Sequence, residues 1–82
     1  MTEYIATFHT HLSAMRSQRS LAALGGIKAR LAPVPRSLSA SCGTCVLYSA
    51  DGPHLDAMDR DVERVVQRLE KEGEYLELLH NE

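Results

Sequence analysis

The order of hydrophobic patterns along the chain predicts an α+β fold, a ferredoxin-like βαββαβ two-layer sandwich with an antiparallel sheet and two helices on one face. Three observations carry that expectation. Short runs of β-forming residues fall at 3–8, 27–32, 44–48 and 75–79. Two longer stretches, about 10–24 and 54–72, repeat apolar residues at helical spacing. Glycine and proline punctuate the joins between them. The 82 residues are enough for a single small domain spanning 1–82, of a size that buries only about 60% of its unfolded surface.

Glu3-Tyr4-Ile5-Ala6-Thr7-Phe8 reads as the first strand, ending at the polar cluster His9-Thr10-His11. Thr10 is the expected N-cap of the first helix, whose inner stripe would be Leu12, Met15, Arg19 and Ala22-Ala23, with Gly25-Gly26 stopping it. Ile27-Lys28-Ala29-Arg30-Leu31-Ala32 alternates apolar and basic residues, so Ile27, Ala29 and Leu31 are expected to face inward. Pro33 and Pro35 end that ladder because neither has a backbone N–H to donate. A serine-rich loop then leads to Gly43 and to a third strand at Thr44-Cys45-Val46-Leu47-Tyr48.

After the Asp51-Gly52-Pro53 turn, Leu55, Met58, Val62, Val65, Val66 and Leu69 recur as one face of a second helix, with acidic residues early and Lys71 late. Asp56, Asp59, Asp61 and Glu63 would then form its solvated face. Gly73 suits the position after a helix end, and Tyr75-Leu76-Glu77-Leu78-Leu79 closes the sheet. His54 and His80 stand alone near element ends and read as solvated.

Composition narrows the class of function. The chain is 44% hydrophobic and 24% charged, as in an ordinary soluble domain. A net charge of −2, with no interleaving of basic and aromatic residues, argues against a nucleic-acid partner. A strand pattern begins at once, without a basic leader or a long apolar segment. That predicts neither export nor a membrane span, and places the protein in the cytoplasm, where thiols stay reduced. No Ser-His-Asp order, carboxylate pair or glycine-rich phosphate loop stands out, and no cofactor is expected.

The chemistry concentrates in the loop Pro33-Val34-Pro35-Arg36-Ser37-Leu38-Ser39-Ala40-Ser41-Cys42-Gly43-Thr44-Cys45, which holds both cysteines. The predicted topology brings its end to the same rim as the turn after the first strand. His9, Thr10, His11, Arg36 and Cys42 would then meet there, although 31 positions separate His11 from Cys42. Cys42 beside Gly43 would be approachable. The N-terminus of the first helix and Arg36 would both favour its thiolate, the form that acts as nucleophile. Strand alternation turns Cys45 away from that rim, as an auxiliary thiol or a buried bystander. A thioredoxin-like couple is disfavoured because there the two cysteines open a helix, whereas here they enter a strand.

From Tyr4 to Tyr48 the chain resembles the selenium/sulfur carrier-like family, small bacterial domains of otherwise unknown function. The residues that carry the resemblance are Thr7-Phe8, Ala14-Met15-Arg16, Gly26-Ile27 and the run Leu31-Ala32-Pro33-Val34-Pro35-Arg36-Ser37-Leu38-Ser39-Ala40-Ser41-Cys42-Gly43. The resemblance implies a carrier, rather than a turnover enzyme, whose Cys42 holds persulfide sulfur or selenium between donor and acceptor proteins. Cys45 departs from the family pattern, which centres on the first cysteine. Two alternatives stay open at this level. One is a non-catalytic homodimeric module associating through a sheet face at Tyr4, Ala6 and Phe8 or their alternates. The other is a small zinc domain using Cys42 and Cys45 with His9 and His11.

Overall fold

The computed structural model describes residues 1–81. It has one helix packed on one face of a five-stranded, wholly antiparallel sheet. The strands are β1 (Thr2–Phe8), β2 (Lys28–Pro33), β3 (Thr44–Ala50), β4 (Val62–Arg68) and β5 (Tyr75–His80). The helix α1 is His11–Ala23. The order across the sheet is β2-β3-β1-β4-β5.

Thr10 caps α1 as expected: its backbone is extended and its Oγ1 accepts the Ser13 N–H at 3.1 Å. Gly25 and Gly26, at φ 77° and 69°, end the helix in left-handed conformations that favour glycine. The inner stripe differs from the expectation. Ser13, Ala14, Ser17 and Leu21 are buried, while Leu12 is 54% exposed and Arg19, Ala22 and Ala23 face outward. Small side chains let the helix lie close to the sheet, and Leu21 supplies its one large buried side chain.

The predicted second helix does not form, so the fold is α+β without the two-helix βαββαβ arrangement. Residues 54–72 instead hold a short 3₁₀ turn at Leu55–Ala57, then β4 and the turn into β5. The physical reason lies in β4. Thr7 pairs with Arg64 and Phe8 with Val62, which leaves Glu63 as an extra residue. In a regular strand, residues 62 and 65 would face opposite sides. The bulge at Glu63 resets the alternation, so Val62 and Val65 both pack under α1 while Val66 faces the other way. A bulged strand covered on both faces thus copies the three-and-four spacing of a helix. β-branched Val62, Val65 and Val66 favour the strand.

Two cores result. Under α1 lie Tyr4, Ala6, Phe8, Val46, Tyr48, Val62 and Val65, with Tyr4 and Tyr48 stacked at a centroid distance of 5.2 Å. On the opposite face lie Ile5, Cys45 and Val66, covered by Leu38 from the 34–43 loop. That loop is a strap over the sheet. Pro33 is the last residue of edge strand β2, paired with Thr44, where proline is tolerated. Leu31 on the same edge is 38% exposed, against the inward expectation, whereas Ile27 and Ala29 do pack toward the core under α1. Tyr4, Ala6 and Phe8 are buried beneath the helix, and Ile5 and Thr7 are also buried, so none of these β1 side chains is free to form a dimer face. Among the described residues no helix is long and apolar enough to cross a membrane.

Candidate functional site

Antiparallel pairing brings four chain segments to one rim. Phe8 ends β1 beside Val62, the first residue of β4, and Thr7 pairs with Cys45 near the start of β3. The strap arrives there through Ser41, Cys42 and Gly43. His11, at the start of α1, lies with Nδ1 3.2 Å from the Thr44 hydroxyl, two residues after Cys42. The turn after β1 and the end of the strap therefore share a rim, but Arg36 lies away from it, and β4 stands where the end of a second helix is expected.

Glu63, which the helical periodicity places only on a solvated face, organises this rim. Its carboxylate accepts the Ser41 N–H at 3.0 Å and the Ser41 hydroxyl at 2.6 Å, fixing the residue immediately before Cys42. The His9 Nδ1 lies 3.6 Å from the same carboxylate. Burial raises the Glu63 pKa. The two Ser41 hydrogen bonds, followed by the charges of His9 and Arg64, outweigh it and hold the group below its ordinary value. The bulge that aims Glu63 toward the strap was the missed signal.

The two cysteines sit in different surroundings, both as free thiols. Cys42 is half-buried on the returning end of the strap. Cys45 is fully buried beneath it, with Sγ 3.6 Å from the Pro33 carbonyl. Burial pushes the Cys45 thiol up to about 11, only partly offset by the Arg30 charge and a backbone hydrogen bond. Thr7, opposite Cys45 on β1, is 1% exposed and its hydroxyl has no hydrogen-bond partner among the described residues.

The other predicted residues divide. Gly43 is exposed, with its carbonyl accepting the Val34 N–H at 3.0 Å across the neck of the strap. It does not adopt a positive φ, and a Cβ there would meet nothing within 4 Å. The backbone does not require glycine at 43, and open space surrounds the residue next to Cys42. The Thr10 hydroxyl is engaged in capping. Arg36 takes no part in the rim's hydrogen bonds and lines a hollow with Leu47, Arg68 and Tyr75. Among the described residues, no three His, Cys, Asp or Glu side chains gather as a metal site, so Cys42, Cys45, His9 and His11 do not form a zinc centre.

A family model described as "Putative Se/S carrier protein-like" matches residues 3–81. The chain belongs to this family. The match extends the resemblance seen from Tyr4 to Tyr48 through β4 and β5, so the segment bearing Glu63 is part of the family's domain. No curated protein and no solved structure matches the chain.

Proposed function

We propose that the protein is a sulfur or selenium carrier in which Cys42 accepts the transferable atom and passes it on. The observation that supports this most is the division of labour between the thiols. Cys42 sits at an accessible rim, whereas Cys45 is sealed under the strap and its ionisation is suppressed. A carrier needs one exchangeable thiol, and an equally reactive neighbour would discharge its cargo by closing a disulfide.

In the transfer, the Cys42 thiolate attacks the terminal sulfur of a donor persulfide, R–S–SH. The new bond joins Cys42 Sγ to that sulfur, the old S–S bond breaks, and the donor leaves as the thiolate R–S⁻. Cys42 then carries a persulfide, and the acceptor thiolate repeats the same displacement. The sulfane atom changes hands without an external oxidant or reductant. A terminal selenium would move by the same displacement. In this reading Glu63 keeps Cys42 presented by holding Ser41. His9 and His11 stand on the same rim, beside the Glu63 carboxylate and the Thr44 hydroxyl respectively.

Incubation with a cysteine desulfurase and cysteine tests the proposal. The expected product gains the mass of one sulfur atom. Cys42→Ala should lose the adduct and Cys45→Ala should keep it. A wild-type protein that takes up no sulfur, or an adduct that survives Cys42→Ala, would refute the assignment.

A further inference from the structure

The strap covers only part of its sheet face. The registers place Lys28 and Arg30 of β2, Leu47 and Ser49 of β3, and Glu3 and Ile5 of β1 on that one face. Arg68 of β4 joins them, 3.5 Å from Glu3. Two hollows border the uncovered part. One, of about 480 Å³, has Lys28, Arg30, Ser49 and Arg68 of this face in its lining and reaches round the β2 end of the sheet to Ala22 and Ile27 on the α1 side. The other, of about 370 Å³, includes Arg36, Ser37 and Tyr75. They adjoin, because Leu47 and Arg68 line both.

The charge of this region runs against that of the whole molecule. The chain carries −2, yet four of its nine Lys and Arg residues line these hollows, facing only Glu3 and Glu72. Arg68 is neutralised in part by Glu3, whereas Lys28, Arg30 and Arg36 have no ion pair among the described residues. Strand geometry sets Lys28 and Arg30 about 7 Å apart, with Arg68 about 14 Å across the sheet. Between them, the half-buried Leu47 contributes an apolar floor.

We propose that the two hollows form one binding site for a small organic polyanion, a phosphorylated metabolite. Its apolar or aromatic body would lie on Leu47, with its anionic groups held by Lys28, Arg30 and Arg36. The volumes fall in the range of small-molecule sites. An acidic peptide fits less well. The open edge of β2 could take an added strand, but that strand would lie outside the hollows, whereas the β3, β1 and β4 backbones beneath them are paired on both sides and would leave a peptide's main chain unsatisfied. The site stands apart from Cys42, so it does not depend on the carrier reading.

An amide-resolved NMR titration of the full chain with ADP, inorganic pyrophosphate and adenosine tests this. ADP at millimolar concentration should give saturable shifts at Lys28, Arg30, Leu47 and Arg68. Pyrophosphate should act more weakly at the same positions, and adenosine alone should do nothing. The double variant K28E/R30E, checked for folding by far-UV circular dichroism, should weaken ADP binding at least about tenfold. Added salt should weaken it further in the wild type. Cys42→Ala should bind like the wild type. The proposal is overturned if neither ADP nor pyrophosphate gives a saturable response. Shifts centred elsewhere, or a response unchanged in K28E/R30E, also overturn it. So does an oligoglutamate peptide that occupies the same residues more tightly than ADP.

Discussion

Cys45 should be chemically silent in the folded protein, by an amount the structure allows one to work out. At pH 7.5 a thiol at its ordinary value of 9.0 is about 3% ionised, whereas one at about 11 is about 0.03% ionised, a hundredfold loss of thiolate. A more basic thiolate is also a better nucleophile, which returns somewhat less than tenfold, so ionisation alone should slow Cys45 by about tenfold. Complete burial beneath Leu38 supplies the remainder, because reagent reaches the sulfur only when the strap lifts.

The assay is alkylation of Cys42→Ser by iodoacetamide, followed by intact mass, in buffer and in urea. The folded variant should react at least about a hundredfold more slowly than the unfolded one. Its rate should keep climbing with pH beyond 9 and level off only near 11. A plateau near 9, or a folded rate within tenfold of the unfolded rate, would refute the account of a sealed and suppressed thiol. The same shift fixes a sign for stability. The unfolded thiol ionises first, so Cys45 supports the fold below pH 9 and that support is lost as pH rises toward 11. Cys45→Ala should flatten that part of the alkaline decline in a denaturation series.

Four further outcomes follow from the strap and the rim. Leu38→Ala should cost about 2–4 kcal/mol in urea denaturation and speed alkylation of Cys45, since it removes the side chain that closes the second core. Glu63→Gln should cost about 1 kcal/mol, given the exposure of its partners, and lower hydrogen-exchange protection of the Ser41 amide. In the wild type that protection should be present above the ordinary carboxylate value and lost as pH falls below it, because folding depresses the Glu63 pKa. Thr7→Val should raise stability by about 1 kcal/mol, since it removes a buried hydroxyl without a partner while keeping a β-branched side chain. Gly43→Ala should leave the melting temperature unchanged but slow sulfur loading, which would separate an open approach to Cys42 from any backbone demand for glycine.

The parts of the fold that depend on local signals were legible in the sequence. The Thr10 cap, the Gly25-Gly26 stop and the prolines at the end of β2 each act through a neighbour or their own backbone. The second helix was misread because its evidence was a periodicity, and a bulge at Glu63 gives a strand the same periodicity. The helix stripe was misread for a related reason. Leu12 and Met15 look like core by composition, yet the close approach of α1 to the sheet selects Ser13, Ala14 and Ser17. At the rim, His11 and Cys42 could be brought together from topology alone, because antiparallel order fixes which ends meet. Glu63 could not, since its role depends on the extra residue that turns its carboxylate toward Ser41.

These two misreadings share a cause that bears on function. A sheet with a helix on one face has a second face to cover, and the predicted fold left that face open. Here the cover is the cysteine-bearing loop itself, anchored by Leu38 in the core, by Ser37 to the Tyr75 hydroxyl at 2.6 Å, and by Ser41 to Glu63. The prolines and serines that look like an unstructured spacer therefore form the roof of a core, and the same segment both presents Cys42 and hides Cys45. Stability and reactivity are coupled through it. In the carrier reading, a partner that lifts the strap while it engages Cys42 would also uncover Cys45, and discharge through an internal disulfide would become available at that moment.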